Sequence, residues 1–282
     1  MSPTIEVDAL HKAYGDVVAV DDVSFTVEHG ECLALLGPNG AGKTTTTEIL
    51  EGYRKADSGS ARVLGVDPAK GDLTWKARLG IVLQADRDLG DLTVRETVSH
   101  FADYFPDSRD PDEVIAAVGL TEKAKARNGK LSGGQRRRLD VALGILGRPE
   151  VLFLDEPTTG FDPAARRDFW TLIEQLKAEG TTILLTTHYL EEAERLADRV
   201  AVIARGRIVA CDAPGRIGNR ADAQAIVSWR EGDIDLTEAT SEPTDFVRAL
   251  AERFDGEIPA LQVHRPTLEE IYLSLLKMEE ER

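Results

Sequence analysis

Apolar and polar residues alternate near the start of the chain, in Ile5-Glu-Val-Asp and again in Val18-Ala-Val-Asp-Asp-Val-Ser-Phe-Thr-Val27. A period of two belongs to strands with one buried face, so Thr4 to Val27 is predicted to form antiparallel strands. The pattern then changes. Cys32-Leu-Ala-Leu-Leu36 is apolar throughout, and similar short runs recur at Ile81 to Leu83, Val151 to Leu154, Thr182 to Leu185 and Val200 to Ile203. Helical spacing separates the later ones, at Ala164 to Ala178 and Leu190 to Leu196. Unbroken apolar strands alternating with helices describe a mainly parallel sheet covered on both faces.

Between Ala85 and Pro149 no strand-like run appears, and Val94 to Tyr104, Pro111 to Val118 and Gln135 to Leu146 carry helical periodicity. This stretch reads as a helical insertion into the α/β frame. After Cys211-Asp-Ala-Pro214 the pattern shifts again, to predicted strands at Ala225 to Trp229 and Leu261 to His264 and helices at Asp245 to Phe254 and Leu268 to Met278. The expected organisation is therefore a main domain over residues 3–215, with its helical subdomain at about 85–149, and a small domain over 216–282.

Composition narrows the function. With 42% hydrophobic and 30% charged residues the chain has the balance of a globular protein, and its apolar runs are far too short to span a bilayer. The N-terminal Met-Ser-Pro-Thr-Ile-Glu lacks the basic and apolar regions of a secretion signal, so a cytoplasmic location is expected. Cys32 and Cys211 form neither a metal-ligand nor a disulfide pattern. A net charge of -16 argues against nucleic acid as a partner, because phosphate backbones are held by basic patches. The run Arg136-Arg-Arg138 reads as a solvated helix face. Residues 211–282 contain 16 acidic and 8 basic side chains, which sets the tail apart.

The segment Gly37-Pro-Asn-Gly-Ala-Gly-Lys-Thr44 fits G-x-x-x-x-G-K-[ST] and follows the strand ending at Leu36. Its glycines let the backbone aim N-H groups inward, and the helix opening at Lys43 adds its positive end, so the loop is a phosphate cradle. Gly37, Pro38, Asn39, Gly40, Ala41, Gly42, Lys43, Thr44 and Thr45 are accordingly the candidate nucleotide-binding residues. Lys43 can reach the β and γ phosphates, and the Thr44 hydroxyl is suited to Mg²⁺. Val151-Leu-Phe-Leu-Asp155-Glu156 is a buried strand ending in two carboxylates that point in opposite directions. Asp155 is placed to hold Mg²⁺, and Glu156 to orient or deprotonate an attacking water. Gln84 and His188 each follow an apolar strand, at the sheet edge where open α/β folds bind ligands. Leu131-Ser-Gly-Gly-Gln135 precedes a helix and can be a second anion site through Ser132, Gly133, Gly134 and Gln135, or equally an ordinary serine-capped helix start.

Taken together, Gly37 to Thr44, Gln84, Leu131 to Gln135, Val151 to Glu156, Thr159-Gly-Phe-Asp162 and His188 resemble, in order and spacing, the ATP-binding cassette (ABC) ATPases over about residues 3–215. The resemblance implies an ABC-type P-loop fold: an antiparallel β subdomain, a mainly parallel core sheet, a helical subdomain and here a small α+β C-terminal extension. It implies ATP and Mg²⁺ as cofactors, Tyr14 stacked on adenine, and Thr44, Gln84 and Asp155 around the metal. Glu156, His188, Gln84 and Lys43 become the catalytic set. Two cassettes would pair head to tail, with Ser132 to Gln135 of one closing over the ATP held by Lys43 of the other, and Asp162 crossing the interface. Phe161 stands where leucine is more usual, which alters packing rather than chemistry.

A cassette without a membrane span implies a separate integral membrane permease, contacted in this family by the helical subdomain and the segment Ala85 to Leu92 after Gln84. That places the chain peripherally on the inner face of the membrane. Pro266-Thr-Leu-Glu-Glu-Ile-Tyr-Leu273 resembles the C-terminal motif of ATPase subunits of daunorubicin-type (ABC-2) drug exporters, which implies export of drug-like or hydrophobic compounds. The same helix has Leu268, Ile271, Tyr272 and Leu275 on one face, as any packed helix would, and the tail is expected to support dimer assembly. An import ATPase, or a soluble ABC ATPase outside transport, are the alternatives.

Overall fold

A computed structural model describes residues 2–82, 90–254 and 256–281. The chain forms two compact units that divide between Cys211 and Asp212. In the first, the alternating segment becomes β1 (Ile5–Tyr14) and β2 (Val17–Val27), paired antiparallel, with Ile5 opposite Val27 and Tyr14 opposite Val17. The fully buried β3 (Cys32–Leu36) leads through the glycine loop into α1 (Lys43–Leu50), and β4 (Ser58–Val63) then returns to pair with β1. A short α2 (Leu73–Lys76) precedes β5 (Leu79–Val82). The helical segment contributes α3 (Val94–Ala102), α4 (Pro111–Ala117) and α5 (Gly133–Ile145). The α/β pattern resumes as β6 (Val151–Asp155), α6 (Pro163–Ala178), β7 (Thr182–Thr187), α7 (Leu190–Leu196), β8 (Arg199–Ala204) and β9 (Arg207–Asp212).

These strands build a six-stranded sheet in the order β5-β6-β7-β3-β8-β9, parallel from β5 through β8. Its last strand turns back through Arg205 and Gly206, both at positive φ, as a two-residue hairpin requires. Alternate residues of one strand supply different cores. Leu152 and Leu154 of β6 pack with α3, α4, α5 and α6, whereas Val151 and Phe153 pack with the antiparallel sheet and α1. The same split places Ile183 and Leu185 of β7 on one side and Leu184 on the other. Both faces are therefore covered, which is why these strands read as unbroken apolar runs.

The second unit has β10 (Ala225–Glu231) at the centre of a three-stranded sheet, flanked by β11 (Ile234–Thr240) and β12 (Gln262–His264). Helix α8 (Pro243–Phe254) packs on it through Phe246 and Leu250 against Trp229 and Val227. Helix α9 (Leu268–Glu280) starts in a capping box formed by Thr267 and Glu270.

Three strands among the described residues escape the periodicity: β4, β9 and β11. All three are edge strands, β4 is mostly small or polar, and the largely exposed β11 packs little more than Leu236, so the burial that marks a strand is weak in them. Helix ends also move: α3 stops at Ala102 rather than Tyr104, and α5 begins at Gly133 because Ser132 caps it.

Glycine sets the distance between α5 and the sheet. A Cβ on Gly80 of β5 would lie 2.2 Å from the Gly144 carbonyl oxygen and 2.8 Å from Leu152 Cδ1. Gly80→Ala is expected to cost about 1–3 kcal/mol of stability by overpacking. Gly129→Ala, where a Cβ meets nothing, should stay within about 0.5 kcal/mol of the parent. Urea unfolding midpoints of the two variants check the contrast.

Candidate active site

The loop between β3 and α1 is shaped by conformations and clearances that only glycine meets. Gly40 and Gly42 have φ of +79° and +105°, and a Cβ on Gly42 would sit 2.3 Å from the Ala19 carbonyl oxygen. A Cβ on Gly37 would sit 2.3 Å from the Ile203 carbonyl oxygen, so β2 and β8 press on the loop from two sides. Lys43 is buried, and its ammonium donates to the carbonyl oxygens of Gly37 at 2.6 Å and Pro38 at 3.0 Å. Burial pulls its pKa below the ordinary lysine range, while the carboxylates of Glu156 and Asp155 push it back up.

No side chain caps α1, so the N-H groups of Lys43, Thr44 and Thr45 in its first turn are left for an acceptor from outside the helix. Thr46 and Thr47 donate their hydroxyls to the carbonyl oxygens of Gly42 and Lys43, whereas Thr44 remains exposed. Uncapped donors, a buried ammonium and a glycine-lined floor fit the phosphates of a nucleotide. The hydroxyl of Thr44 and the carboxyl of Asp155 are hard oxygen donors of the kind Mg²⁺ takes. Gln84, assigned to the metal and the γ phosphate, lies outside the described residues, as does most of the segment that follows it.

The carboxylates at the end of β6 are separated by more than strand alternation. Asp155 is the last strand residue, buried, and its carboxylate accepts a hydrogen bond from the Thr186 hydroxyl. Glu156 leaves the strand at φ +47°, a left-handed conformation that strains a residue with a side chain. Its N-H donates to the Thr186 carbonyl oxygen at 3.0 Å, which holds the kink in place. The result is a carboxylate within 3.3 Å of the His188 ring, Oε1 to Nδ1, with the Thr159 hydroxyl 3.5 Å from Oε2. Glu156 is 13% exposed and His188 44%, so the pair opens to solvent on the histidine side.

Other predicted site residues occupy definite places. Tyr14 ends β1 with 41% of its surface exposed, and the cationic groups of Lys12 and Arg54 each lie 5.5 Å from its ring centroid. It is no core aromatic. Ser132 and Gln135 form a reciprocal capping box on α5: Gln135 N-H donates to Ser132 Oγ at 3.2 Å and Ser132 N-H to Gln135 Oε1 at 3.0 Å. Gly133 faces open space, and a Cβ on Gly134 would lie 3.1 Å from the Gly160 carbonyl oxygen. Within one chain this segment is thus a satisfied helix start. Asp162 caps α6 by accepting from the N-H groups of Ala164 and Ala165, which holds its carboxyl below the usual range. Phe161 is buried and meets Phe169 edge to face at 5.9 Å.

Sequence reasoning missed several supporting residues. Arg137, in the run taken for a solvated face, is buried and donates to the carbonyl oxygens of Asp155 and Pro157. Its neighbours also serve the fold: Arg136 donates to the Leu131 carbonyl oxygen and Arg138 to that of Gly119. The helical position of Arg137, one side of α5 facing the sheet, was the available signal. Thr186, which touches both acidic residues, carried none beyond its place at a strand end.

Comparison with known proteins agrees with this fold and these loops. The family model described as "ABC transporter" matches residues 20–159. The chain is 45% identical over 218 residues to the Nod factor export ATP-binding protein I of Paraburkholderia xenovorans strain LB400, covering 76% of this chain and 72% of the relative. It is also 45% identical over 210 residues to the protein of that name from Burkholderia orbicola strain AU 1054, covering 73% and 69%. A solved ATP-binding subunit of an ABC transporter shares the fold with a TM-score of 0.73 at 24% identity, over 96% of this chain and 99% of that one. CbiO1 from Clostridium perfringens, part of the cbiONQ transporter complex, superposes with a TM-score of 0.66 at 26% identity, over 77% and 90%. The fold and the phosphate loop define a nucleotide-binding P-loop protein. The chain belongs to the ATP-binding subunits of ABC transporters, a family that couples ATP hydrolysis to transport.

Glu51, at the end of α1, is a further buried carboxyl on this side of the sheet. Burial, with repulsion from Asp155 and Glu48, pushes its pKa up from 4.5 to about 8. The folded chain keeps this proton to higher pH than the unfolded one, so Glu51 lowers stability progressively as pH rises from about 4.5 towards 8. Glu51→Gln is expected to leave the melting temperature unchanged near pH 5 and to raise it by about 2–4 °C or more near pH 9. Thermal unfolding of both proteins across that range tests the sign.

Proposed function

We propose that the chain is the ATP-hydrolysing subunit of an ABC exporter, working as a homodimer on a separate integral membrane permease. Two copies close head to tail around nucleotide and Mg²⁺, and the closure moves the permease. The observation that carries export is the 45% identity to proteins named Nod factor export ATP-binding protein I. The resemblance of Pro266 to Leu273 to daunorubicin-type subunits supports a drug-like or otherwise hydrophobic cargo. Among the described residues no helix is long and apolar enough to cross a membrane, which is consistent with a separate permease. The peripheral position on the inner membrane face follows from that pairing, with the helical subdomain and the segment after Gln84 as the contact.

In this reading the N-H groups of the Gly37 to Thr44 loop and the Lys43 ammonium bind the β and γ phosphates, and Tyr14 stacks on adenine. Mg²⁺, when bound, neutralises charge on the phosphate oxygens, with Thr44, Gln84 and Asp155 as its protein ligands. Glu156 orients the attacking water and takes its proton, while His188 holds Glu156 and the γ phosphate in place. Products are ADP and phosphate. For Ser132 and Gln135 to close over the partner's nucleotide they exchange hydrogen bonds within their capping box for bonds to phosphate. Residues 216–282 support the dimer.

Glu156→Gln is expected to retain ATP binding, to trap a closed dimer and to slow hydrolysis by about 10²-fold or more. Lys43→Ala loses nucleotide affinity instead, and His188→Ala slows turnover by about 10²-fold. Phosphate release and size-exclusion chromatography with Mg-ATP report both quantities, and normal turnover in Glu156→Gln would remove it from the role of base. Purification from a membrane extract should bring down a small integral membrane protein and no solute-binding protein; recovery of a solute-binding protein would favour an importer.

A further inference from the structure

Positive charge gathers at one place in the first unit. In a chain of net charge -16, four cations line a single cleft beyond the C-terminal end of α1: Arg54 and Lys55 after the helix, Arg62 on β4, and Lys70 in the short turn before α2. The cleft holds about 410 Å³, a volume in the range of small-molecule sites. Buried Ile49 and Pro68 give it apolar wall, and Asp67 is the one carboxylate among its described lining residues. It is not part of the phosphate loop, which lies at the other end of α1; the eight residues of that helix span about 12 Å.

The side chains in the cleft differ in how far they are already engaged. Arg54 is held in place, because Nε and Nη2 donate to the Glu48 carboxylate and the guanidinium lies 5.5 Å from the centroid of the Tyr14 ring and 5.7 Å from that of Tyr53. Among the described residues its Nη1 is left without an acceptor. Asp67 is occupied too, accepting from the Ala69 N-H at 3.0 Å and pairing with Lys70 at 3.1 Å. Arg62 donates only to the Gly65 carbonyl oxygen, at 3.5 Å. Lys55 makes no hydrogen bond or ion pair among the described residues.

Ordinary causes explain part of this. Cations just past a helix C-terminus complement its dipole, which accounts for Arg54 and Lys55, and Asp67 accounts for Lys70. Neither brings Arg62, on a neighbouring strand, into the same cleft. Like charges gathered around one enclosed volume repel, and a single engaged carboxylate leaves an excess that an anion would offset. Guanidinium edges match the oxygens of a phosphate, and a pre-positioned Arg54 loses little freedom in binding one.

We propose that this cleft is a second anion site, which takes a phosphate group carried by a small molecule or a lipid headgroup through Lys55, Arg62 and the open edge of Arg54. Nucleotide turnover at the phosphate loop is not required for it.

The whole chain carrying Lys43→Ala, which weakens the phosphate loop, is titrated with pyrophosphate by calorimetry and sedimented with vesicles of equimolar phosphatidylcholine and phosphatidate. In that background Lys55→Ala with Arg62→Ala is expected to weaken binding of at least one probe by about tenfold or more. Lys123→Ala with Lys125→Ala removes the same charge from exposed lysines elsewhere and should stay within about twofold. Melting temperatures should stay within about 2 °C of the background, since the substituted side chains are exposed. Weakening towards pyrophosphate assigns a soluble ligand, and weakening towards vesicles alone assigns a headgroup. No binding of either probe up to about 10 mM phosphate, equal losses in the two double variants, or full affinity without Lys55 and Arg62 would each overturn the site. Should the double variant fail to fold, Lys55→Ala alone decides: a loss of about threefold supports the site and unchanged affinity overturns it.

Discussion

Parallel pairing of β6 with β7, with Asp155 opposite Thr186, is the constraint on which the site depends. One threonine binds the carboxylate of Asp155 through its hydroxyl and fixes the backbone turn of Glu156 through its carbonyl oxygen. A slip of one residue in this register would turn the side chains of β7 to the opposite faces of the sheet and part Glu156 from His188. The register is protected because the two faces of β6 and β7 are packed in different cores, so a slipped pairing would press each side chain into a core fitted to another shape. The hydrophobic core and the polar site are therefore one design problem. Leu152, Leu154, Ile183 and Leu185 hold the alignment that Asp155, Glu156 and His188 use.

Close approach of backbones does comparable work on the nucleotide side. Ala19 of β2 and Ile203 of β8 press on Gly42 and Gly37, so the loop is gripped by strands from two sheets before any ligand enters. Pre-organised donors lose little freedom on binding, which is what a phosphate site needs to act on the transition state rather than the ground state. The Lys43 ammonium, turned back onto the carbonyl oxygens of its own loop, is held in the same way.

Much of this was legible from residue order, for physical reasons that differ by element. Buried parallel strands announce themselves as apolar runs, and a phosphate loop needs glycine at fixed offsets, so β3, β6, β7 and the loop at Gly37 to Thr44 could be placed from the chain alone. The edge strands β4, β9 and β11 could not, since a strand that buries few side chains shows little periodicity. Arg137 shows a different limit. Three consecutive arginines look solvated, but α5 turns the middle one towards the sheet, where it is buried on the carbonyl oxygens of Asp155 and Pro157. Glu51 was invisible for the same reason, because a carboxylate at the end of an amphipathic helix looks like surface until its neighbours are known. The kink at Glu156 also came from tertiary structure, since local preference would assign a left-handed residue to glycine or asparagine.

That kink carries a consequence for how such a chain can vary over generations. Position 156 is one where backbone comfort and chemical duty pull apart: glycine would relax the turn, and every carboxylate placed there must be held against its own conformational preference by Thr186. A lineage freed from turning over nucleotide would drift towards small residues at this point and gain robustness as it did so. In the proposed mechanism the glutamate found there serves hydrolysis at a cost borne by the backbone itself.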